Sequence, residues 1–150
     1  MRIRFALVAA VAASLVVVGT VTAKDGGRPL SATLTGASEV PGPGDTNATG
    51  TADLRLNQGR HRVCFDIAWA DIDGTVFAGH IHVGTATEAG PIVVTLFEGA
   101  FAGTDAAAGC VQDVDRALIK DIRKHPADYY VNVHSNPDFP GGAIRGQLGK

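Results

Sequence analysis

The sequence predicts an all-β domain, an antiparallel Greek-key β-sandwich or small barrel, with one short helix near residues 114–124. Apolar residues recur with period two in segment after segment, turn residues separate those segments, and a 3.6 period occurs in one place. Nineteen glycines and seven prolines among 150 residues are too many for a helical bundle, and 45% hydrophobic residues exclude extended disorder. The length suits a single domain with a proper core.

Each element has its own justification. Leu30, Ala32 and Leu34 alternate with Ser31, Thr33 and Thr35, and Ala52, Leu54 and Leu56 with Thr51, Asp53 and Arg55. From His61 to Ala70, one face carries Val63, Phe65, Ile67 and Trp69, the other Arg62, Cys64, Asp66 and Ala68. Phe77–Val83, Pro91–Phe97, Tyr129–His134 and Ala143–Leu148 continue the pattern. Turns are expected at 41–44, 57–59, Asp73-Gly74, 88–91 and Pro140-Gly141-Gly142. Val114, Leu118 and Ile122 recur at helical spacing, with Asp113 as the expected N-cap and Pro126 beyond the end. Gly99 to Gly109 is small and flexible in composition and reads as a long surface loop.

Residues 1–23 read as an export signal. Arg2 and Arg4 precede an apolar run from Phe5 to Val18, and Val21-Thr22-Ala23 supplies the small residues of a cleavage site. The domain is then 24–150, and the product is secreted or periplasmic with no membrane span left. Losing Arg2 and Arg4 leaves 11 Lys+Arg against 15 Asp+Glu, a net charge of −4. That charge, without any basic stripe, excludes a nucleic-acid partner. In an oxidising compartment the two cysteines, Cys64 and Cys110, read as a disulfide.

The candidate chemistry lies in Gly79-His80-Ile81-His82-Val83-Gly84. Residues two apart on a strand share a face, so His80 and His82 project together with Cβ atoms roughly 7 Å apart. His134 shares a face with Asn132 and Tyr130, opposite Val131 and Val133. Should the two strands be neighbours, three imidazoles converge, a donor set that suits copper, zinc or iron. His61, beside Arg60 and Arg62, and His125, beside Lys124, read as solvated, although either is available as a fourth ligand. Asp66, Asp71 and Asp73 offer carboxylates, but Asp73-Gly74 beside a strand reads first as a turn. No nucleophile elbow, phosphate loop or dinucleotide fingerprint is present.

These motifs resemble the CHRD (chordin-type) domain family. The matching pieces are Leu34-Thr35-Gly36-Ala37-Ser38-Glu39-Val40-Pro41, Gly79–Gly84, Gly90–Val94, Tyr130–His134 and Gly142–Leu148, in the family's order. The resemblance implies an extracellular β-sandwich and supplies no reaction. A fainter resemblance is to the copper/zinc superoxide dismutases. It rests on the His-x-His at His80 and His82, on Val133-His134, and on Gly141-Gly142-Ala143-Ile144-Arg145. It implies copper on His80, His82 and His134, with Arg145 attracting the superoxide anion. Asn132 and Tyr130 would then orient the rings by hydrogen bonds. The chain departs from those enzymes at Ile92, where they place a bridging histidine, and has no zinc-ligand cluster.

Two functions follow. One is an exported copper domain with superoxide dismutation as its candidate activity, whose partners are a metal ion and a small anion, with zinc or no metal as the alternatives to copper. The other is a non-catalytic extracellular module that binds an unidentified protein through the loops 41–47 and 137–142, its histidines being structural.

Overall fold

The computed structural model describes residues 26–150, so the expected export signal lies outside the described residues. Eight strands form one antiparallel sheet that curls into a nearly closed barrel. They are β1 (Arg28–Thr35), β2 (Thr49–Asn57), β3 (Arg62–Ala70), β4 (Thr75–Val83), β5 (Ile92–Glu98), β6 (Ala106–Val111), β7 (Tyr129–Asn136) and β8 (Phe139–Gln147). Their order across the sheet is β5-β4-β7-β8-β1-β2-β3-β6. The outermost strands, β5 and β6, return alongside each other without a ladder between them.

The period-two pattern explains the interior. Leu30, Ala32 and Leu34 of β1, Ala52, Leu54 and Leu56 of β2, and Val63, Phe65, Ile67 and Trp69 of β3 all turn inward and are buried. Their alternation partners stay at least partly exposed, so β1 to β3 form a one-sided wall of the barrel. Ile81, Val131, Val133 and Ile144 complete the core from the opposite wall. Burying a Leu, Ile, Val or Phe contributes about 1.5–3 kcal/mol each before chain entropy is subtracted.

Three expectations need correction. Residues 99–109 are not one loop: Ala106–Val111 is β6, paired with β3 from Val63↔Val111 to Ala68↔Ala106. Ala106-Ala107-Ala108-Gly109 has almost no strand propensity, and the pairing is set by the free edge of β3 and by the Cys64–Cys110 disulfide between directly opposed residues. The helix α1 runs over Arg116–Lys124, two residues later than expected, and its N-cap is Asp115, whose carboxylate accepts from the Leu118 amide at 2.8 Å. Asp113 instead takes a left-handed turn at φ 58°, after which the Val114 amide donates to the His61 carbonyl. Third, Pro140-Gly141-Gly142 is not the turn but the start of β8; the β7–β8 reversal lies one step earlier, at Pro137-Asp138. A register shift between Val133 and Ser135 accommodates the proline and glycines inside the strand.

Strands β4, β7 and β8 depart from one-sided burial, β7 most completely. All of Tyr129–Ser135 is buried, on both faces. Its inner face is apolar, whereas its outer face, with those of β4 and β8, carries His80, His82, Tyr130, Asn132, His134 and Arg145. All six are buried. The 85–90 loop and the segment around Glu39 make hydrogen bonds to Arg145, His82, Tyr130 and Asn132 from outside the sheet, so this polar face is roofed by chain.

Candidate metal centre

Register brings the three histidines together. His80 of β4 is opposite Asn132 of β7, His82 is opposite Tyr130, and Ala78 is opposite His134. His80, His82 and His134 therefore share the outer face, and one ring nitrogen from each lies within 4.8 Å of the other two. Their exposures are 6, 9 and 8%, so the cluster sits just beneath the surface. Among the described residues this is the one group of three or more His, Cys, Asp or Glu so placed. His61 and His125 do not join it: His61 takes a left-handed conformation (φ 51°) where β3 begins, and the exposed His125 pairs with Asp121 at the end of α1. Asp71 and Asp73 belong to a turn. Asp73 donates its amide to Asp45 and accepts at its carbonyl from Ser135, while the Asp71 carbonyl accepts from Asn47.

The backbone sets which imidazole nitrogens carry hydrogen. A carbonyl only accepts, so His82 Nδ1 must donate to the Gly90 carbonyl at 2.8 Å. That leaves His82 Nε2 as a bare lone pair, buried and without a hydrogen-bond partner. His134 Nδ1 likewise donates to the Pro140 carbonyl at 3.1 Å, leaving its Nε2 bare. His80 Nδ1 lies 3.0 Å from His134 Nε2 and therefore supplies the hydrogen between them. Burial lowers the pKa of all three rings, with smaller effects from neighbouring charge, and His134 falls to about 4. At neutral pH the cluster thus holds three uncharged rings. That is the state a metal requires of its imidazole ligands.

The surrounding residues hold these rings in place. Tyr130 stacks on His82 with centroids 4.8 Å apart and planes 10° from parallel, and its hydroxyl bonds the Gly90 backbone. It supports the ring through stacking and through Gly90, not through a bond to the imidazole itself. Gly90 has to be glycine: a Cβ there would lie 1.5 Å from the Val83 carbonyl oxygen. Any side chain would displace the carbonyl that fixes the His82 tautomer. Arg145 is 1% exposed, places its guanidinium 3.4 Å over the Tyr130 ring and donates to the Thr85 and Glu88 carbonyls. It clamps the loop that carries Gly90. Its positive charge also reaches His82, where it opposes protonation.

Asn132 lies between the histidines in register but bonds elsewhere: its amide donates to the Glu39 carboxylate. Gly142, at φ 143°, leaves the room for this pair, since a Cβ there would come within 2.7 Å of both Glu39 oxygens. Burial raises the Glu39 pKa to about 7 against the opposing pull of Arg145. A group whose folded pKa is raised stabilises the fold below its unfolded pKa and loses that contribution as pH rises through the folded value. For Glu39 the loss spans about 4.5 to 7, roughly 3 kcal/mol. His134 acts in the opposite sense, because its depressed pKa makes stability fall as pH drops from 6.5 towards 4. Glu39→Gln separates the two. In urea titrations of metal-free protein, the variant should gain on the wild type as pH rises from about 5 to about 8, and a constant difference would contradict the assignment.

Two acidic residues beside the cluster escape a reading of the sequence alone: Glu39, and Glu98 at the end of β5, whose carboxylate lies 4.0 Å from His80 Nε2. Glu39 stands inside the Leu34–Pro41 motif, so a signal was present there; Glu98 is placed by a bulge in the β4–β5 ladder that no local pattern announces.

Residues 30–148, nearly all of the described chain, match the CHRD domain. The chain belongs to the CHRD-domain family. No curated protein and no solved structure matches it. Within this CHRD domain the disulfide is formed, and no helix among the described residues is long and apolar enough to cross a membrane.

Proposed function

We propose that this CHRD domain is exported and holds one copper ion on His80, His82 and His134, and that the loaded protein removes superoxide. The observation that carries the reading is His82 Nε2, a buried lone pair without a hydrogen-bond partner beside two further neutral imidazoles. An unsatisfied buried acceptor costs about 1–3 kcal/mol, and a metal ion would relieve that cost. The donor set supports copper through its chemistry, since three neutral imidazoles suit copper, zinc or iron. When bound, copper supplies a one-electron couple, by which one superoxide is oxidised to dioxygen and a second, with two protons, is reduced to hydrogen peroxide.

The chain's own residues would perform supporting work. Gly90 and Pro140 keep His82 and His134 in the tautomer that presents Nε2. Tyr130 and Arg145 fix the His82 ring plane and the roof above it. Arg145 draws an anion through its field rather than by direct contact, because its guanidinium is spent on carbonyls and on Tyr130. The disulfide and the cleavable-signal pattern at residues 1–23 support the export part of the reading.

The test is superoxide decay, followed by pulse radiolysis, with copper-loaded protein and with an equally treated His80→Ala/His82→Ala variant. Wild-type protein should accelerate decay above free copper with a chelator present, and the variant should not. Protein fully loaded with copper yet inactive would overturn the dismutase reading and leave a copper-binding domain.

A further inference from the structure

His80 and Glu98 face each other in a way the metal-free hydrogen bonds leave unexplained. Glu98 ends β5 opposite Ala78 of β4. The ladder slips between Gly79 and His80, so that Leu96 and Phe97 are both buried while Glu98 is exposed at the rim of the cluster. A bulge re-aims a side chain in this manner. Glu98 Oε1 lies 4.0 Å from His80 Nε2, and the two side chains are 70% and 7% exposed. In the metal-free tautomer, that His80 nitrogen is a lone pair pointing at a carboxylate. Acceptor faces acceptor, and nothing holds them together.

Metal binding would reverse this. The His134 Nε2 lone pair is occupied by the His80 Nδ1 hydrogen. His134 can ligate only if that hydrogen leaves, and the vacated His80 Nδ1 is then 3.0 Å from His134 Nε2. Two nitrogens bound at about 2.0–2.1 Å on one tetrahedral ion stand roughly 3.3 Å apart, so the pair is already almost at ligand spacing. His80 Nε2, by contrast, cannot ligate together with His134 while Nδ1 keeps its hydrogen. A neutral His80 that ligates through Nδ1 carries its hydrogen on Nε2, facing Glu98.

We propose that Glu98 is a positioning residue: it accepts the His80 Nε2–H in the metal-bound state and so selects coordination through His80 Nδ1, with Nε2 from His82 and His134. The proton count balances, because one hydrogen leaves Nδ1 for solvent and one is taken up at Nε2. Closing 4.0 Å to a hydrogen bond needs only rotation of an exposed side chain. The proposal rests on the metal reading above and specifies how the site is set.

The experiment uses zinc as a diamagnetic probe and long-range 1H–15N NMR of the imidazoles. Without zinc, all three rings should show Nδ1–H. With zinc, His82 and His134 should keep Nδ1–H while His80 changes to Nε2–H. Glu98→Ala should raise the zinc Kd roughly ten- to a hundredfold and leave metal-free stability unchanged, as its 70% exposure requires. Glu98→Gln, which keeps an acceptor oxygen, should fall between. Zinc bound at all three rings with His80 still Nδ1–H, or a Kd unmoved in Glu98→Ala, would overturn the role of Glu98 alone. No zinc-dependent change at any ring would overturn the metal reading and this proposal with it.

Discussion

Replacing Cys64 and Cys110 together by serine is expected to lower the unfolding free energy by about 4 kcal/mol, the chain-entropy value for a cross-link spanning 46 residues. The effect should be concentrated in β6. That strand is made of Ala106-Ala107-Ala108-Gly109-Cys110-Val111, buries only Ala107 fully, and pairs on one side only. Little besides the ladder to β3 and the disulfide holds it there. A loss of that size is a large share of the 5–15 kcal/mol that stabilises a typical domain. Urea denaturation gives the total, and amide exchange locates it: β6 amides should lose protection first, while β7 amides keep theirs. Uniform loss across the sheet would show that β6 is integral to the barrel and not a strand stapled to its edge.

The second large effect comes from metal. An ion that binds the native state alone adds RT ln(1 + [L]/Kd), about 2.7 kcal/mol at a hundredfold excess over Kd. Thermal unfolding of metal-free protein should shift upward by several degrees on adding copper or zinc, and His82→Ala should show no shift. His82 is the informative position because its Nε2 has no hydrogen bond to lose; its removal costs the metal-free fold the Nδ1–H bond to the Gly90 carbonyl and the stacking on Tyr130. A variant that still unfolds cooperatively without metal, at a somewhat lower temperature than the wild type, and ignores metal isolates the site from the fold. Equal shifts in both proteins would place the binding elsewhere.

How far the sequence reveals this arrangement depends on whether the information is local. The barrel wall of β1 to β3 is plain in the alternation of residues such as Leu54 and Ile67, because one face meets the core and the other water. The histidine trio is legible for the same reason: His80 and His82 share parity, and His134 differs in parity from the apolar Val131 and Val133. Strand β6 is not legible, since alanine and glycine carry no periodic signal and the strand exists through Cys110 and the edge of β3. Asp113 and Asp115 are equally good caps on paper, and the left-handed turn at Asp113 decides between them. The roof is the least legible part. Carbonyls of Gly90 and Pro140 determine which nitrogen each ring exposes, and a backbone acceptor has no letter in the sequence. Arg145 shows the same limit: the motif marks its position, but its clamp on the 85–90 loop depends on tertiary packing.

Whether His80, His82 and His134 hold a metal ion can be read from the purified protein itself. Elemental analysis of the chain from Lys24 to Lys150, exported to an oxidising compartment and purified without a His-tag, tests it most directly. One equivalent of copper is expected in the wild type and none in the His80→Ala/His82→Ala variant. No stoichiometric metal even after incubation with copper and zinc would contradict the metal reading, and would leave a disulfide-tied CHRD domain whose histidines serve its fold.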